Sequence, residues 1–364
     1  MKKILILTNH SYMFYRFRKE LTAELLKKYE VVIGTPFVGH EDDLAAMGAK
    51  CIETPLNRRG TNPLEDKKLI RQYRSLLREE KPDLVVTYSI KPNIYAGAAC
   101  QKAGVPYCAN VQGIGTAFQK KSTAFLVTGM YRRGLRGAHA VFFENEGNAK
   151  EFERRGICTP ERQCVLRGAG VNLGIYHSDV KPESPDGKIH FLYMGRIMKE
   201  KGMDEIIGAV KRLGVADIPF ILDIVGFYED EYEQEVKELE KKGLARFYGF
   251  TKNPKPYYEK CDCVILPSYH EGMSNVLLEA ASMSRPVITS DIPGCREAVE
   301  DGVSGILCDV RDEESLYQAM VRFAQMDEEE REMMGRCGRW RMEQMFDKYS
   351  VVKETVRVLE EAMR

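Results

Sequence analysis

Short apolar runs alternate along this chain with longer stretches that have helical patterns. In the first half the apolar runs predict strands at 2–8, 30–35, 50–53, 83–88, 105–111 and 139–143. The stretches between them predict helices at 13–28, 64–80, 92–103, 122–137 and 146–155. A second series of strands is predicted at 190–194, 219–225, 244–248, 262–267, 286–290 and 304–308, before a helical tail from about 312. This alternation is typical of βαβ units and parallel sheets.

A polar, turn-rich segment divides the two series of strands. Residues 178–188 have the sequence SDVKPESPDGK and predict a linker between a domain of 1–178 and a domain of 179–348. The 364 residues are enough for two cores. We therefore expect an α/β protein of two doubly wound domains, which face each other across a cleft at the carboxyl ends of their strands.

The charge of the chain is divided unequally between its halves. Residues 1–178 contain 28 Lys and Arg against 17 Asp and Glu, a net charge of +11, and residues 179–364 carry −11. No acidic residue occurs between Asp83 and Glu144. A positive first half suits an anionic partner, either membrane headgroups or a pyrophosphate. The alternative is a solvated basic surface that balances an acidic neighbouring domain.

Two carboxylates frame a predicted strand, turn and helix in the second half. Glu271 lies in the glycine-bearing turn, and Glu279 lies about one turn inside the helix that Ser274 is expected to cap. The N–H groups at such a helix start form an anion site, and carboxylates accept hydrogen bonds from hydroxyls. This pattern predicts a site for a sugar that is joined to ribose through phosphate.

Two cations stand at the end of the first strand of the second series. Arg196 follows this strand, and Lys201 precedes Gly202 five residues later. Arg can bind phosphate with two parallel hydrogen bonds, and Lys acts as a point charge. On their own, both would be typical of a solvated turn, but together with the Glu pair they favour a phosphate site.

These residues resemble the signature of the family 4 retaining glycosyltransferases, which have the GT-B fold. The chain is similar in particular to bacterial enzymes that build lipid-linked oligosaccharides, O-antigen and capsule. The resemblance covers essentially the whole chain, and its further motifs are 88–93 (YSIKPN), 111–115 (VQGIG), 195–197 (GRI), 201–202 (KG), 292–297 (IPGCRE) and 301–305 (DGVSG). It implies that a last helix, 349–364, crosses back to the N-terminal domain.

The resemblance also implies roles in donor binding. Arg196 and Lys201 would hold the donor diphosphate, Glu279 the ribose hydroxyls, and Glu271 the hydroxyls of the transferred sugar and its oxocarbenium-like charge. The implied catalytic residues are Glu271, Arg196 and Lys201. The implied donor-binding residues are Arg196, Lys201, Glu271, Gly272, Met273, Ser274, Asn275, Val276 and Glu279, with Phe250 as a base contact or part of a simple turn.

Candidate acceptor-binding residues follow the first, fourth and fifth strands: Asn9, His10, Lys91, Gln112 and Gly113. His10 is either a ligand contact or a helix cap, and Lys91 either binds an acceptor phosphate or is a surface lysine. The first strand lacks the G-x-G-x-x-G of a dinucleotide dehydrogenase. Many relatives have a histidine after the fifth strand, but 111–115 contains none, which leaves the general base unassigned.

No two aspartates stand two residues apart, so the D-x-D motif that holds a divalent metal in many glycosyltransferases is absent. His and Asp clusters with metal-ligand spacing are also missing. We therefore expect neither a metal nor another cofactor. Arg196, Lys201 and the helix start near Ser274 would neutralise the departing diphosphate instead.

The segment 119–136 has a basic face. At 100° per residue, Lys121, Arg132, Arg133 and Arg136 fall opposite an arc of apolar residues, with Phe125 among the basic ones. The pattern is typical of an interfacial helix and also of a helix that packs on its domain with a wet basic face.

The sequence predicts a retaining, metal-independent enzyme that moves a hexose or N-acetylhexosamine from a UDP-sugar to a polyprenyl-diphosphate-linked sugar. We expect it in the cytoplasm, in peripheral contact with anionic lipid at the inner face of the cell membrane, with no nucleic-acid partner. The alternatives are a UDP-sugar epimerase of the same fold and a non-catalytic nucleotide-sugar-binding protein.

Overall fold

Two parallel sheets, each in a unit of its own, form the framework of the protein and confirm the predicted α/β class. The computed structural model describes residues 1–57, 62–114, 118, 121–177, 186–216 and 218–364. The first unit comprises Met1–Ala169 and Lys348–Arg364, and the second comprises Gly170–Asp347.

The sheet of the first unit has seven strands in the order β3-β2-β1-β4-β5-β6-β7. Its strands are β1 (Lys3–Leu7), β2 (Glu30–Thr35), β3 (Lys50–Glu53), β4 (Leu84–Tyr88), β5 (Tyr107–Val111), β6 (Ala140–Phe143) and β7 (Gln163–Val165). The central strands are buried apolar runs, as expected when helices cover both faces of a parallel sheet. Strand order reverses between β1 and β4, so their carboxyl ends flank the crevice where ligands of such sheets bind.

The helices of the first unit are α1 (Ser11–Leu26), α2 (Glu41–Ala46), α3 (Pro63–Glu80), α4 (Gly97–Ala103), α5 (Lys121–Leu135), α6 (Glu146–Arg154) and α13 (Lys348–Ala362). The last of these packs on α1 through apolar residues that include Val352 and Leu359. The short elements α2 and β7 escaped the sequence prediction.

The helix predicted at 92–103 is divided in the structure. A π-helical turn, Pro92–Ala96, precedes α4. A Cβ on Gly134 of α5 would lie 2.6 Å from Ile94 Cα, so the two backbones touch at this turn. The glycine permits this contact because it has no side chain.

The sheet of the second unit has six strands in the order β10-β9-β8-β11-β12-β13. Its strands are β8 (Ile189–Ile197), β9 (Phe220–Tyr228), β10 (Ala245–Gly249), β11 (Cys263–Leu266), β12 (Val287–Ser290) and β13 (Gly305–Cys308). Its helices are α7 (Met203–Leu213), α8 (Glu233–Lys241), α9 (Lys255–Lys260), α10 (Asn275–Ser282), α11 (Glu313–Gln325) and α12 (Glu328–Met345). Here the strand order reverses between β8 and β11.

The division between the units differs from the predicted boundary at 178. Residues 170–177 belong to the second unit, where the Val171 N–H donates to the Phe346 carbonyl over 2.8 Å. The polar composition of 178–188 predicts where a turn-rich segment lies, but it does not reveal the hydrogen bond that joins Val171 to the second unit. Of the predicted linker, residues 178–185 lie outside the described residues.

Among the helices of the described ranges, none combines the length and the apolar character that crossing a bilayer demands.

Candidate functional site

Arg196 lies at the end of β8, where the strand order of the second sheet reverses. Its guanidinium donates to Glu229, with Nη1 2.8 Å from Oε2, and its side chain is 44% exposed. The backbone carbonyl of Arg196 accepts from the Tyr193 hydroxyl over 2.5 Å. The arginine is therefore anchored at its backbone and accessible at its charged end.

Lys201 lies at the end of a 3₁₀ turn, Lys199–Lys201, just before α7. Its ammonium Nζ is 2.5 Å from Oε1 of Glu271, and both side chains are largely buried. The Ser268 hydroxyl donates to the same Glu271 oxygen over 2.9 Å. The structure thus joins two residues that are 70 positions apart in the sequence into one ion pair.

Glu271 belongs to the loop 267–274, which connects β11 to α10. A Cβ on Gly294, where φ is +90°, would lie 2.6 Å from the Gly272 carbonyl oxygen. The Ser274 N–H also donates to the Gly294 carbonyl, over 3.0 Å. Only a glycine at position 294 permits the two backbones to come this close, so the segment around Gly294 packs directly against the loop 267–274.

Ser274 is the N-cap residue of α10, as predicted, but its side chain makes no capping hydrogen bond. The backbone N–H groups of the first turn of a helix have no carbonyl partner within the helix. With the helix dipole, they favour an anion at this point. Asn275 and Val276 of this turn are half-buried, whereas the Met273 side chain packs in the core.

Glu279 lies inside α10 with 5% of its surface exposed. The Tyr258 hydroxyl donates to its Oε2 over 3.0 Å. A buried carboxylate with a specific donor is unlike the solvated helix-surface residue that sequence spacing alone would also allow. The carboxylate is therefore held in one orientation.

Two aromatic side chains lie near the end of β9 and just after β10 in the second unit. Phe250 is 52% exposed, and its ring lies 6.1 Å from that of Phe227 in an edge-to-face arrangement.

His270 lies next to Glu271 in the sequence. Burial, and then the charge of Arg311, lower the pKa of His270 from its ordinary value of 6.5. The neutral form of this imidazole therefore dominates at pH 7.

The five predicted acceptor residues follow β1, β4 and β5, which are neighbours in the first sheet. Because the carboxyl ends of parallel strands share an edge, Asn9, His10, Lys91, Gln112 and Gly113 come to one side of the first unit. His10 is the N-cap of α1 and accepts from the Met13 N–H over 3.5 Å. Gln112 accepts from the Ser89 hydroxyl over 3.3 Å.

Lys91 is not the solvated surface lysine of the alternative interpretation. Its Nζ lies 2.8 Å from Oδ1 of Asp66, and the Tyr95 hydroxyl donates to Oδ2 over 2.7 Å. The Lys91 side chain is 14% exposed. Gly115, which belongs to the motif 111–115, lies outside the described residues.

Sequence reasoning missed the partners of the predicted residues: Glu229 for Arg196, Ser268 for Glu271, Tyr258 for Glu279 and Asp66 for Lys91. Glu229, Tyr258 and Asp66 lie on other elements and have no motif around them, so no sequence signal marks them. Within the described part of the chain, no three His, Cys, Asp or Glu side chains form a group that could hold a metal ion.

Family models match both halves of the chain. Residues 3–145 match the family described as "Glycosyl transferase 4-like", and residues 177–341 match the family described as "Glycosyl transferases group 1". Together these two matches account for most of both units.

Two curated bacterial relatives are about a quarter identical to this chain over their aligned residues. It is 26% identical to the N,N'-diacetylbacillosaminyl-diphospho-undecaprenol alpha-1,3-N-acetylgalactosaminyltransferase of Campylobacter jejuni, over 84% of each chain. It is 26% identical to the N-acetylgalactosamine-N,N'-diacetylbacillosaminyl-diphospho-undecaprenol 4-alpha-N-acetylgalactosaminyltransferase of the same organism, over 66% of this chain and 64% of the other.

Among solved structures, Anabaena Alr3699/HepE in complex with UDP and glucose superposes with a TM-score of 0.80. The match covers 99% of this chain and 100% of the Anabaena chain at 17% identity. At this identity the likeness shows a shared fold.

Proposed function

Because this chain belongs to the glycosyltransferases of the group 1 and 4-like families, with the GT-B fold, we propose that it transfers a sugar from a UDP-sugar with retention of anomeric configuration. The observation that carries this proposal is the cluster at the reversal point of the second sheet. Arg196 lies at the end of β8, and the Lys201–Glu271 ion pair and the start of α10 follow β8 and the neighbouring β11.

The cluster suits a nucleoside diphosphate that carries a sugar. Arg196, Lys201 and the first turn of α10 would bind the diphosphate, and Glu279 the ribose hydroxyls. Charge-assisted hydrogen bonds contribute about 1.5–3 kcal/mol each, and a helix terminus contributes up to about 2 kcal/mol. No step in this scheme requires a metal ion or another cofactor. Exposed aromatic residues near Phe250 would contact the base.

Glu271 would act on the transferred sugar. Its carboxylate is oriented by Lys201 and Ser268, so it would accept hydrogen bonds from sugar hydroxyls and stabilise positive charge at the anomeric carbon. The acceptor hydroxyl would attack from the side that the diphosphate leaves, and a phosphate oxygen would take its proton. This route needs no general base from the protein.

We propose a polyprenyl-diphosphate-linked sugar as the acceptor and the cytoplasmic face of an anionic membrane as the place of reaction. The names of the two Campylobacter relatives refer to diphospho-undecaprenol-linked sugars, which supports this class of acceptor. Lys91, Gln112 and the residues after β1 would bind the acceptor at the edge of the first sheet. The exposed basic face of α5 supports the membrane contact.

A thermal-shift panel of UDP-, GDP- and ADP-sugars tests the donor, since a ligand that binds the folded form raises its apparent stability. We expect UDP-sugars to give the largest shift. A larger shift with GDP- or ADP-sugars would contradict the base assignment. Conversion of a UDP-sugar to its epimer in the absence of acceptor would favour an epimerase instead.

A further inference from the structure

A single residue, Tyr269, connects the loop 267–274 to two neighbouring segments of the second unit, through its side chain and through its backbone. Its hydroxyl donates to the Glu205 carboxylate of α7, with Oη 2.8 and 2.9 Å from the two oxygens. Its backbone N–H donates to the Glu200 carbonyl over 2.9 Å. Since Tyr269 stands two residues before Glu271, both bonds restrain the segment that presents the Glu271 carboxylate.

Two residues that contact the Tyr269 side chain, Glu205 and Arg311, are in energetically unfavourable states. Glu205 is a carboxylate with 8% exposure, and burial of a charge is costly unless partners compensate it. Arg311 has a left-handed backbone, with φ at +61°, which residues other than glycine rarely adopt. Its guanidinium carbon lies 4.7 Å from the centre of the Tyr269 ring. Strained or costly groups persist where the surroundings fix them, and they cluster at functional sites.

Packing alone does not account for this arrangement. An apolar residue would fill the space of Tyr269, which is 5% exposed, without a buried carboxylate beneath it. Burial and the hydrogen bond to Glu205 raise the pKa of Tyr269, so the phenol remains a neutral donor at physiological pH. The hydrogen bond to Glu205 therefore fixes the orientation of the Tyr269 side chain, which packing between apolar groups would not do.

We propose that Glu205 and Tyr269 are positioning residues, which hold the loop 267–274 so that the Glu271 carboxylate stays beside Lys201. The inference rests on the proposed function, because that function gives Glu271 its role in sugar transfer. The Tyr269 hydroxyl is bonded to Glu205, and not to Arg196, Lys201 or the start of α10. Its removal should therefore lower the rate of transfer with little effect on the affinity for UDP.

Three variants test this inference. Tyr269→Phe removes the hydroxyl and keeps the ring under Arg311, Glu205→Gln keeps an acceptor for that hydroxyl, and Tyr349→Phe is a matched control on the exposed face of α13. Hydrogen exchange of residues 267–274 reports the order of the loop. Calorimetry with UDP gives Kd, and turnover is measured with the UDP-sugar that shows the largest thermal shift.

For Tyr269→Phe we expect faster exchange in the loop and a loss of turnover of about tenfold or more, since small misplacements of a reacting group are costly. We expect the Kd for UDP to stay at the wild-type value. Glu205→Gln should retain much of the turnover, and Tyr349→Phe all of it.

Two results would overturn the inference: unchanged exchange in Tyr269→Phe, or a loss of UDP affinity in step with turnover and thermal stability, which marks a purely structural role. Failure of the wild-type protein to bind UDP would instead refute the proposed function. The exchange measurement would still decide whether Tyr269 orders the loop.

Discussion

Both predicted diphosphate ligands form ion pairs with carboxylates, but the two ion pairs differ in burial. The Arg196–Glu229 pair is partly exposed, and exposed pairs are worth about 0–1 kcal/mol. A diphosphate would offer Arg196 charge-assisted bonds of about 1.5–3 kcal/mol, so we expect it to displace Glu229. The Lys201–Glu271 pair is more buried, so we expect it to persist when donor binds.

Replacement of either partner of the Arg196–Glu229 pair tests whether Glu229 competes with the donor for Arg196. Arg196→Ala should weaken UDP binding roughly 10- to 150-fold, because the diphosphate loses a charge-assisted partner. Glu229→Gln should tighten UDP binding, because the competing negative charge is gone. Calorimetry with UDP measures both, and a weaker Kd in Glu229→Gln would mean that Glu229 orients Arg196 and does not compete with the donor.

Replacement of Glu271 separates chemistry from binding. Glu271→Gln keeps the size of the side chain but removes the charge that stabilises the sugar, so turnover should fall roughly 10²- to 10³-fold. UDP affinity should hold or rise, because Lys201 loses its counter-ion. Steady-state kinetics with a UDP-sugar provide the measurement, and Glu300→Gln, at a largely exposed position, is the control. Equal turnover in Glu271→Gln and the wild type would remove Glu271 from the mechanism.

At the scale of elements, α5 combines basic and apolar groups on one exposed face. Phe125 and Leu126 are 84% and 63% exposed, and Arg133 is also exposed. With the end of α6, α5 encloses a groove of about 800 Å³ that Arg154 and Arg155 help to line. The buried residues of α5 include Ala124, Tyr131 and Leu135, as its helical period predicts.

If this face contacts a membrane, the protein should co-sediment with anionic vesicles and release them as salt rises. Basic residues near such a surface contribute about 1 kcal/mol each, so loss of two should weaken vesicle binding by roughly tenfold or more. We expect this for Arg133→Gln combined with Arg136→Gln. Arg336→Gln on α12 is the matched control. Salt-independent binding, or equal loss in the control, would argue against α5 as the contact.

His190 and neighbouring aspartates form a cluster at the beginning of β8. Arg196, a predicted donor residue, lies at the opposite end of this strand. His190 lies 3.4 Å from Oδ2 of Asp223 through Nδ1 and 3.1 Å from Oδ1 of Asp186 through Nε2. Its backbone N–H donates to Asp262 over 2.7 Å. The hydrogen bond to Asp223, and then that to Asp186, raise the pKa of His190 from 6.5 against the effect of burial.

This shift predicts how stability depends on pH. Because the folded-state pKa of His190 is the higher one, its contribution is complete below about pH 6.5 and is lost as pH rises through the folded-state value. Denaturant unfolding between pH 6 and 8 should therefore show a decline that His190→Asn removes. The same change at exposed His139 should leave the decline intact, and a pH-independent wild type would contradict the assignment.

At the scale of the whole molecule, we propose that the protein itself supplies the positive charge for the departing diphosphate. The second half of the sequence carries a net charge of −11, yet Arg196, Lys201 and the start of α10 gather at one edge of its sheet. We therefore expect the local placement of charge, and not the net charge, to determine where an anion binds.

Sugar transfer should accordingly proceed without a divalent metal ion. We expect equal turnover of a UDP-sugar in EDTA, Mg²⁺ and Mn²⁺, because protein cations and backbone dipoles replace the metal. Turnover that EDTA abolishes and Mn²⁺ restores would contradict this expectation.

The sequence by itself determined the class of fold and most strands and helices, and it predicts the residues of the donor site. Apolar periodicity is a local property, so it located β8 and α10 to within a few residues. The motifs around Arg196 and Glu271 were equally local. Two short elements, α2 and β7, gave too few positions for a period to be read.

Only the tertiary structure decided which residues are partners. Glu229, Tyr258 and Glu205 stand 33, 21 and 64 positions from the side chains that they bind. The sheet order brings these segments together, and periodicity within one segment contains no information on that order. The tertiary structure also decided that Met273 packs in the core and that Lys91 forms an ion pair with Asp66. Both outcomes depend on neighbours that are distant in the chain.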